Sequence, residues 1–136
     1  MLVDEKTLWP QGQFVTTQII VRAKFLDDHP DVVQAILAGH LAALAAIKAD
    51  PAGSQKAAND AIEAATQKRL PDKVISAAWN NLEFTYDPIS SSLQQAAQSA
   101  VDVGVLKPVE NLSGLYSLDL LNNLLVAQGQ PTVSGL

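Results

Sequence analysis

The side chains best suited to chemistry near the first half of the chain are a histidine and three aspartates. His29 follows Asp27 and Asp28, precedes Pro30, and is joined by Asp31. A catalytic or metal-binding histidine needs a nucleophile or further ligands close by, and this stretch supplies neither. The aspartates also lack the glycine-turn spacing of a calcium loop. We therefore interpret the cluster as a solvated helix end whose carboxylates stabilise the start of the next helix.

A second histidine and a run of serines are the other candidates. His40 lies among apolar residues at helical spacing, which is typical of a histidine at the edge of a core. The serines at 90–92 follow Asp87 and Pro88 at a predicted helix start. A helix start can bind an anion, but ordinary capping explains serines there.

Composition excludes several classes of protein. The 136 residues have the size of one domain, with a formal charge of −5 and a pI near 4.7, so a basic nucleic-acid-binding face is not expected. The chain has no cysteine, which excludes disulfides, thiol catalysis and cysteine-bound metals. It has no phosphate-binding glycine loop, nucleophile elbow or zinc spacing. We expect no catalytic residue, no cofactor and no metal, and therefore no enzyme. The residues after Met1, LVDEK, do not resemble a signal peptide.

The secondary-structure pattern predicts a mainly α fold with one long strand, an α+β class. Phe14 to Ala23 is rich in β-branched residues and is predicted as the strand, and Leu82 to Tyr86 as a short extended piece. Residues 1–13 form an irregular lead-in and residues 130–136 a loose tail. We find no internal repeat and treat 1–136 as one unit.

Helices are predicted over about 31–49, 51–68, 69–81, 89–104 and 117–129. Asp50 and Pro51 suit the start of the second of them. Gly104 and Gly129 suit helix ends, and Ser117 suits a cap. The longest helix has an apolar face at three- and four-residue spacing: Val33, Ile36, Leu37, His40, Leu41, Leu44 and Ile47.

Three motifs in order resemble solute-binding proteins of ABC importers, closest to the aliphatic-sulfonate, nitrate and taurine family. The first is LVDEKTLWPQGQFVTTQIIVRAKFLDDHPDVV, with an acidic VDE, an LWP, paired threonines and an FLxxHPDVV helix start. The second is RLPDKVISAAWNNLEFTYDPISSSLQQAAQSAVDVGVLK, and the third is LSGLYSLDLLNNLL. Together they span almost the whole chain.

The resemblance implies that the chain is the C-terminal part of a two-lobe protein of the type II periplasmic-binding superfamily. It would be a partial lobe lacking its N-terminal sheet, whose missing strands would pair with the strand from Phe14. Such proteins bind a small organic anion between two lobes and deliver it to a membrane permease, at the periplasmic or extracellular face. The lead-in residues Glu5, Thr7 and Trp9 are the candidate ligand contacts.

Two alternatives to a binding protein stay open. One is a fragment of a pyrimidine-synthase-like enzyme of the same superfamily, which is marked by a cysteine-rich motif that this chain lacks. The other is a helical interaction module, which a lone unpaired strand argues against. An unpaired strand also predicts that two copies form a homodimer through Phe14 to Ala23. The alternative is a monomer in which the apolar residues of this strand, Phe14, Ile19 and Ile20, fold back onto Val33, Leu37 and Leu41.

Overall fold

The protein is a helical chain without a sheet. The computed structural model describes residues 2–108 and 111–136, which are helical over 59% of the chain and contain no strand. Two short 3₁₀ turns come first, Glu5–Leu8 and Pro10–Gly12. Six α-helices follow: α1 Ala23–Asp28, α2 Pro30–Ala49, α3 Pro51–Thr66, α4 Asp72–Trp79, α5 Ser90–Asp102 and α6 Asp119–Ala127.

The predicted strand is wrong, and the α+β class with it. Residues 13–22 leave the helical conformation, and Gln13 and Arg22 at the two ends are extended, but no ladder forms in the described part of the chain. β-branched residues favour extended backbone locally, whereas a strand also requires a neighbour to receive its hydrogen bonds. Leu82 to Tyr86 is also not a strand: Leu82 N donates to Trp79 O in a turn that ends α4.

The chain divides into two compact units, and the boundary falls within α2. The first unit contains residues 2–35, 87–108 and 111–136 of the described chain. Its buried apolar side chains are Val33 at the start of α2 and Leu121 and Leu125 on α6. Beyond α6, the side-chain amide of Asn122 donates to Val133 O (3.0 Å) and accepts from Val133 N (2.9 Å), which fastens the tail to the helix.

The second unit, Ile36–Tyr86, contains the rest of α2 with α3 and α4. The Asp50 carboxylate accepts from Gly53 N (2.9 Å) and Pro51 occupies the first turn of α3, so the predicted start is confirmed. Asn59, 1% exposed, holds the chain that returns from α3, since its side chain donates to Leu70 O and accepts from Leu70 N. In α4, Trp79 packs against Phe84 with ring centroids 4.5 Å apart.

Some of the other predicted boundaries are confirmed and one cap is wrong. α2 covers its predicted range, and Val33 and Leu41 of its apolar face are buried. α5 ends before Gly104, whose positive φ of 76° suits glycine. Ser117 does not cap α6, because the N-cap position is Leu118 and no side chain caps that helix.

By length and composition alone, α2 could cross a membrane. Its most apolar window has a mean hydropathy of 1.7, and 11% of that window is buried within the described chain. Core helices of soluble proteins and signal sequences have the same properties, so this finding does not assign a compartment.

An exposed ion cluster joins α3 to Arg69 in the segment that follows the helix. Lys56 and Arg69 both donate to the carboxylate of Asp60, and Arg69 also donates to Glu63. The hydrogen bonds from Lys56 and then Arg69 hold the pKa of Asp60 below its usual value.

Because the pKa of Asp60 is lower in the folded than in the unfolded protein, the ionised carboxylate stabilises the fold at pH values above its unfolded pKa of about 3.9. This stabilisation is lost as the pH falls through the lower pKa of the folded protein. We therefore expect the melting temperature of the second unit to fall slightly below about pH 3.9. Salt should make this drop smaller, because the charged groups are exposed. Thermal melts followed by Trp79 fluorescence in a Trp9→Phe background measure it. The Asp60→Asn variant should lose this part of the pH dependence, and an unchanged profile in that variant would contradict the assignment.

Candidate functional site

A small hollow in the first unit is the candidate site. It has a volume of about 260 Å³ and lies between the 3₁₀ turns, the segment after them and α5. Its lining residues are Trp9, Val15, Thr16, Thr17, Gln18, Ile20, Ser92, Leu93 and Ala96. This volume is below the range of roughly 300–1,000 Å³ found for sites of drug-sized ligands, so the hollow suits a small solute.

Trp9 forms one wall of the hollow because the short turns around it hold its ring. The indole stacks on Phe14, with ring centroids 5.2 Å apart and an interplanar angle of 17°. Its Nε1 donates to the Glu5 carboxylate (3.3 Å). With the indole N–H engaged in this way, Trp9 contributes an apolar face to the hollow.

Ser92 connects α5 to the opposite wall. It is 5% exposed, and its hydroxyl oxygen accepts from Val15 N (3.3 Å), so its own O–H remains a donor. The prediction that the serines cap α5 is wrong: the N-cap residue is Ile89, and no side chain caps this helix. Ser92 instead fixes the segment that carries the threonines.

Three further polar side chains border the hollow. Thr16 and Thr17 are adjacent and exposed, and their hydroxyls have no hydrogen-bond partner among the described residues. The Gln18 side chain is fixed by a hydrogen bond, because its amide donates to the Tyr116 hydroxyl (3.2 Å). The hollow therefore combines hydroxyl and amide donors with the apolar surfaces of Trp9 and Leu93.

None of the described residues that line the hollow carries a charge. An anion bound there would be held by neutral hydrogen-bond donors, each of which contributes modestly compared with a charged one. The chemistry available is binding and orientation. No nucleophile and base are brought together in it, since its lining contains no histidine or carboxylate.

The structure separates the three lead-in residues predicted from the sequence. Only Trp9 borders the hollow. Glu5 lies behind it as the acceptor for the indole, and Thr7, inside the first turn, donates its hydroxyl to Asp4 O (2.7 Å).

The other candidates lie elsewhere. His29 ends α1 and packs its ring against Phe25 with centroids 4.9 Å apart, and His40 is half-buried on α2. The described residues contain no group of three or more histidines and carboxylates able to bind a metal.

Sequence reasoning missed the polar members of the site. The sequence pattern predicts a strand for Thr16, Thr17 and Gln18, and a helix cap for Ser92. The signal that could have found them is the pair of threonines within the LWP…TT motif, because polar β-branched residues in an otherwise apolar run suggest a lined cavity.

A second hollow of about 680 Å³ borders α5 at Ser90 and Gln94 and reaches the tail at Gly135. Its described lining has uncharged side chains and includes none of the lead-in residues.

Comparison with known proteins gave no assignment: no family model matches the chain, and no curated protein and no solved structure is similar to it.

Proposed function

We propose that this chain is the C-terminal part of the solute-binding component of an ABC importer, and that it contributes one side of a site for a small organic anion. The observation that carries the proposal is the hollow, which places Trp9 of the LWP motif beside Thr16 and Thr17 of the paired-threonine motif. Both belong to the first of the three motifs of the family resemblance, and Ser92 and Leu93 of the second motif border the same hollow.

The chemistry of the lining suits an aliphatic sulfonate, taurine or nitrate-like anion. The hydroxyls of Thr16, Thr17 and Ser92 supply donors for oxyanion oxygens. The indole of Trp9 and the side chains of Leu93 and Ala96 supply the apolar surface that a short alkyl chain needs. In the proposed mechanism a second lobe closes over the bound solute by a hinge motion, and the permease at the outer face of the membrane recognises the closed form.

The isolated chain of 136 residues is expected to bind such anions weakly, because half of the proposed site lies outside it. We expect a Kd of about 1 mM or weaker for taurine, ethanesulfonate and nitrate. Isothermal titration calorimetry measures it, and micromolar binding by the isolated chain would contradict the two-lobe proposal.

A protein that includes the residues encoded upstream tests the site itself. We expect micromolar binding, and in this protein the Thr17→Val variant should bind the anion at least about tenfold more weakly because one hydroxyl donor is lost. The matched control is Thr132→Val, since Thr132 is exposed in the tail and is not part of the hollow. Equal binding by both variants would exclude the hollow as the site, and an upstream region encoding no first lobe would exclude the importer assignment.

A helical interaction module remains the second candidate, favoured by one observation. The absence of any strand in the described chain removes the main argument against it. The same calorimetry separates the two, because an interaction module would bind none of these anions in the longer protein either.

A further inference from the structure

One segment of the first unit has an unsatisfied backbone. The backbone N–H and C=O groups of residues 16–21 have no hydrogen-bond partner within the described chain. The preceding residue is fixed, since Val15 N donates to Ser92, and Arg22 O begins the hydrogen bonding of α1. We call residues 16–21 the open segment. The chain bends at Thr16 and is not helical from there to Val21. The free groups of the open segment are solvated in the monomer and can pair with another chain when residues 17–21 are extended.

The side chains of the open segment suit burial. Ile19, Ile20 and Val21 are 48%, 89% and 39% exposed. No charged residue occurs from Gln11 through Val21. Two copies can therefore approach along this segment without like-charge contacts, although each chain carries a net charge of −5.

The total surface leaves room for a large interface. The accessible surface of the chain is 10019 Å² at a mass of 14.4 kDa. Two separate compact bodies of the sizes of the two units would expose roughly 8,000 Å². The excess is larger than the roughly 800 Å² that each partner buries in a standard interface.

We propose that the open segment is a docking site for the same segment of a second copy, paired antiparallel about a two-fold axis at Ile19. When two copies of the segment pair antiparallel about a two-fold axis perpendicular to both strands, the axis passes between two copies of the same residue. The numbers of residues that lie opposite each other then sum to twice the number of that residue. Centring the axis on Ile19 places Ile19 opposite Ile19 of the second copy and Thr17 opposite Val21. One face of the pair is then made of β-branched side chains, which form favourable cross-strand contacts. This inference does not rest on the proposed solute site, although Thr16, Thr17, Gln18 and Ile20 of the open segment also border the hollow.

Proline substitutions test the pairing. Adjacent N–H groups of an extended segment point to opposite edges, so Thr17 and Ile20, three residues apart, present theirs to different edges. Whichever edge faces the partner, one of Thr17→Pro and Ile20→Pro removes a ladder donor. Neither change breaks an intrachain hydrogen bond, because neither N–H donates in the monomer. Circular dichroism and Trp9 fluorescence check that both variants stay folded.

The readouts are sedimentation equilibrium and amide hydrogen exchange. We expect the unchanged chain to dimerise, and one of the two proline variants to weaken the dimer at least about tenfold. The amides of the open segment should exchange rapidly at low concentration and become protected as the dimer forms. Ile36→Ser, at a 47% exposed position of α2, is the control and should leave the dimer unchanged.

Three outcomes would overturn the proposal. If the chain is still a monomer at its highest soluble concentration, the open segment does not pair with a second copy. Another partner, such as upstream residues of a longer protein, would then cover it. A dimer that resists both prolines, or one lost only in Ile36→Ser, would place the interface elsewhere.

Discussion

Replacing Leu125 with alanine is expected to lower the free energy of unfolding of the first unit by about 2–5 kcal/mol. Leu125 on α6 is 0% exposed, and the described chain buries only three other apolar side chains to a similar degree. The substitution removes the transfer free energy of the lost methyl and methylene groups and leaves a cavity that the neighbours fill only in part. With so small a core, this is a large fraction of the stability of a domain.

The next residue of the same helix supplies the control. Val126 is 63% exposed, so Val126→Ala should change the free energy of unfolding by no more than about 0.5 kcal/mol. Urea unfolding followed by Trp9 fluorescence, in a Trp79→Phe background, reports on the first unit alone. If the two variants lost the same stability, α6 would not be packed through Leu125.

Asn59→Ala is expected to destabilise the second unit by about 2 kcal/mol. The Asn59 amide makes two hydrogen bonds with the backbone of Leu70, at 2.9 and 3.1 Å, in a site where Asn59 itself is 1% exposed. Each such bond contributes about 0.5–1.5 kcal/mol, and its loss also leaves the partner groups unpaired. Asn80→Ala is the matched control, since Asn80 is exposed at the end of α4 and should change stability little. Urea unfolding followed by Trp79 fluorescence measures both.

The Asn59→Asp variant separates the two hydrogen bonds. The introduced carboxylate can still accept from Leu70 N but cannot donate to Leu70 O while it is ionised. Burial raises the pKa of such a carboxyl above its unfolded value. Relative to the unchanged chain, the variant should therefore be least destabilised below about pH 3.9 and lose stability as the pH rises through the raised folded pKa. A destabilisation that does not depend on pH would show that the site is open to water.

The sequence by itself determined the helices, because their signals are local. The cap of Asp50 with Pro51, the helix end before Gly104 and the periodic face with Val33 and Leu41 each depend on residues within a few positions of one another. The sequence also indicates Trp9 as a candidate contact, although it does not indicate the residues beside Trp9 in the hollow.

Only the tertiary structure decided the rest, because the deciding partners are remote in sequence. The β-branched residues from Phe14 onward favour extended backbone, yet a strand needs a ladder and the described chain offers none. Ser92 looks like a cap in the sequence and becomes an acceptor for Val15, 77 positions away.

The roles of two asparagines were also decided only by the tertiary structure. Asn59 and Asn122 each pair with the backbone of a residue 11 positions further on. Nothing local marks either asparagine, because its role arises only when the chain returns past its own helix and presents a free N–H and C=O that would otherwise lack a partner.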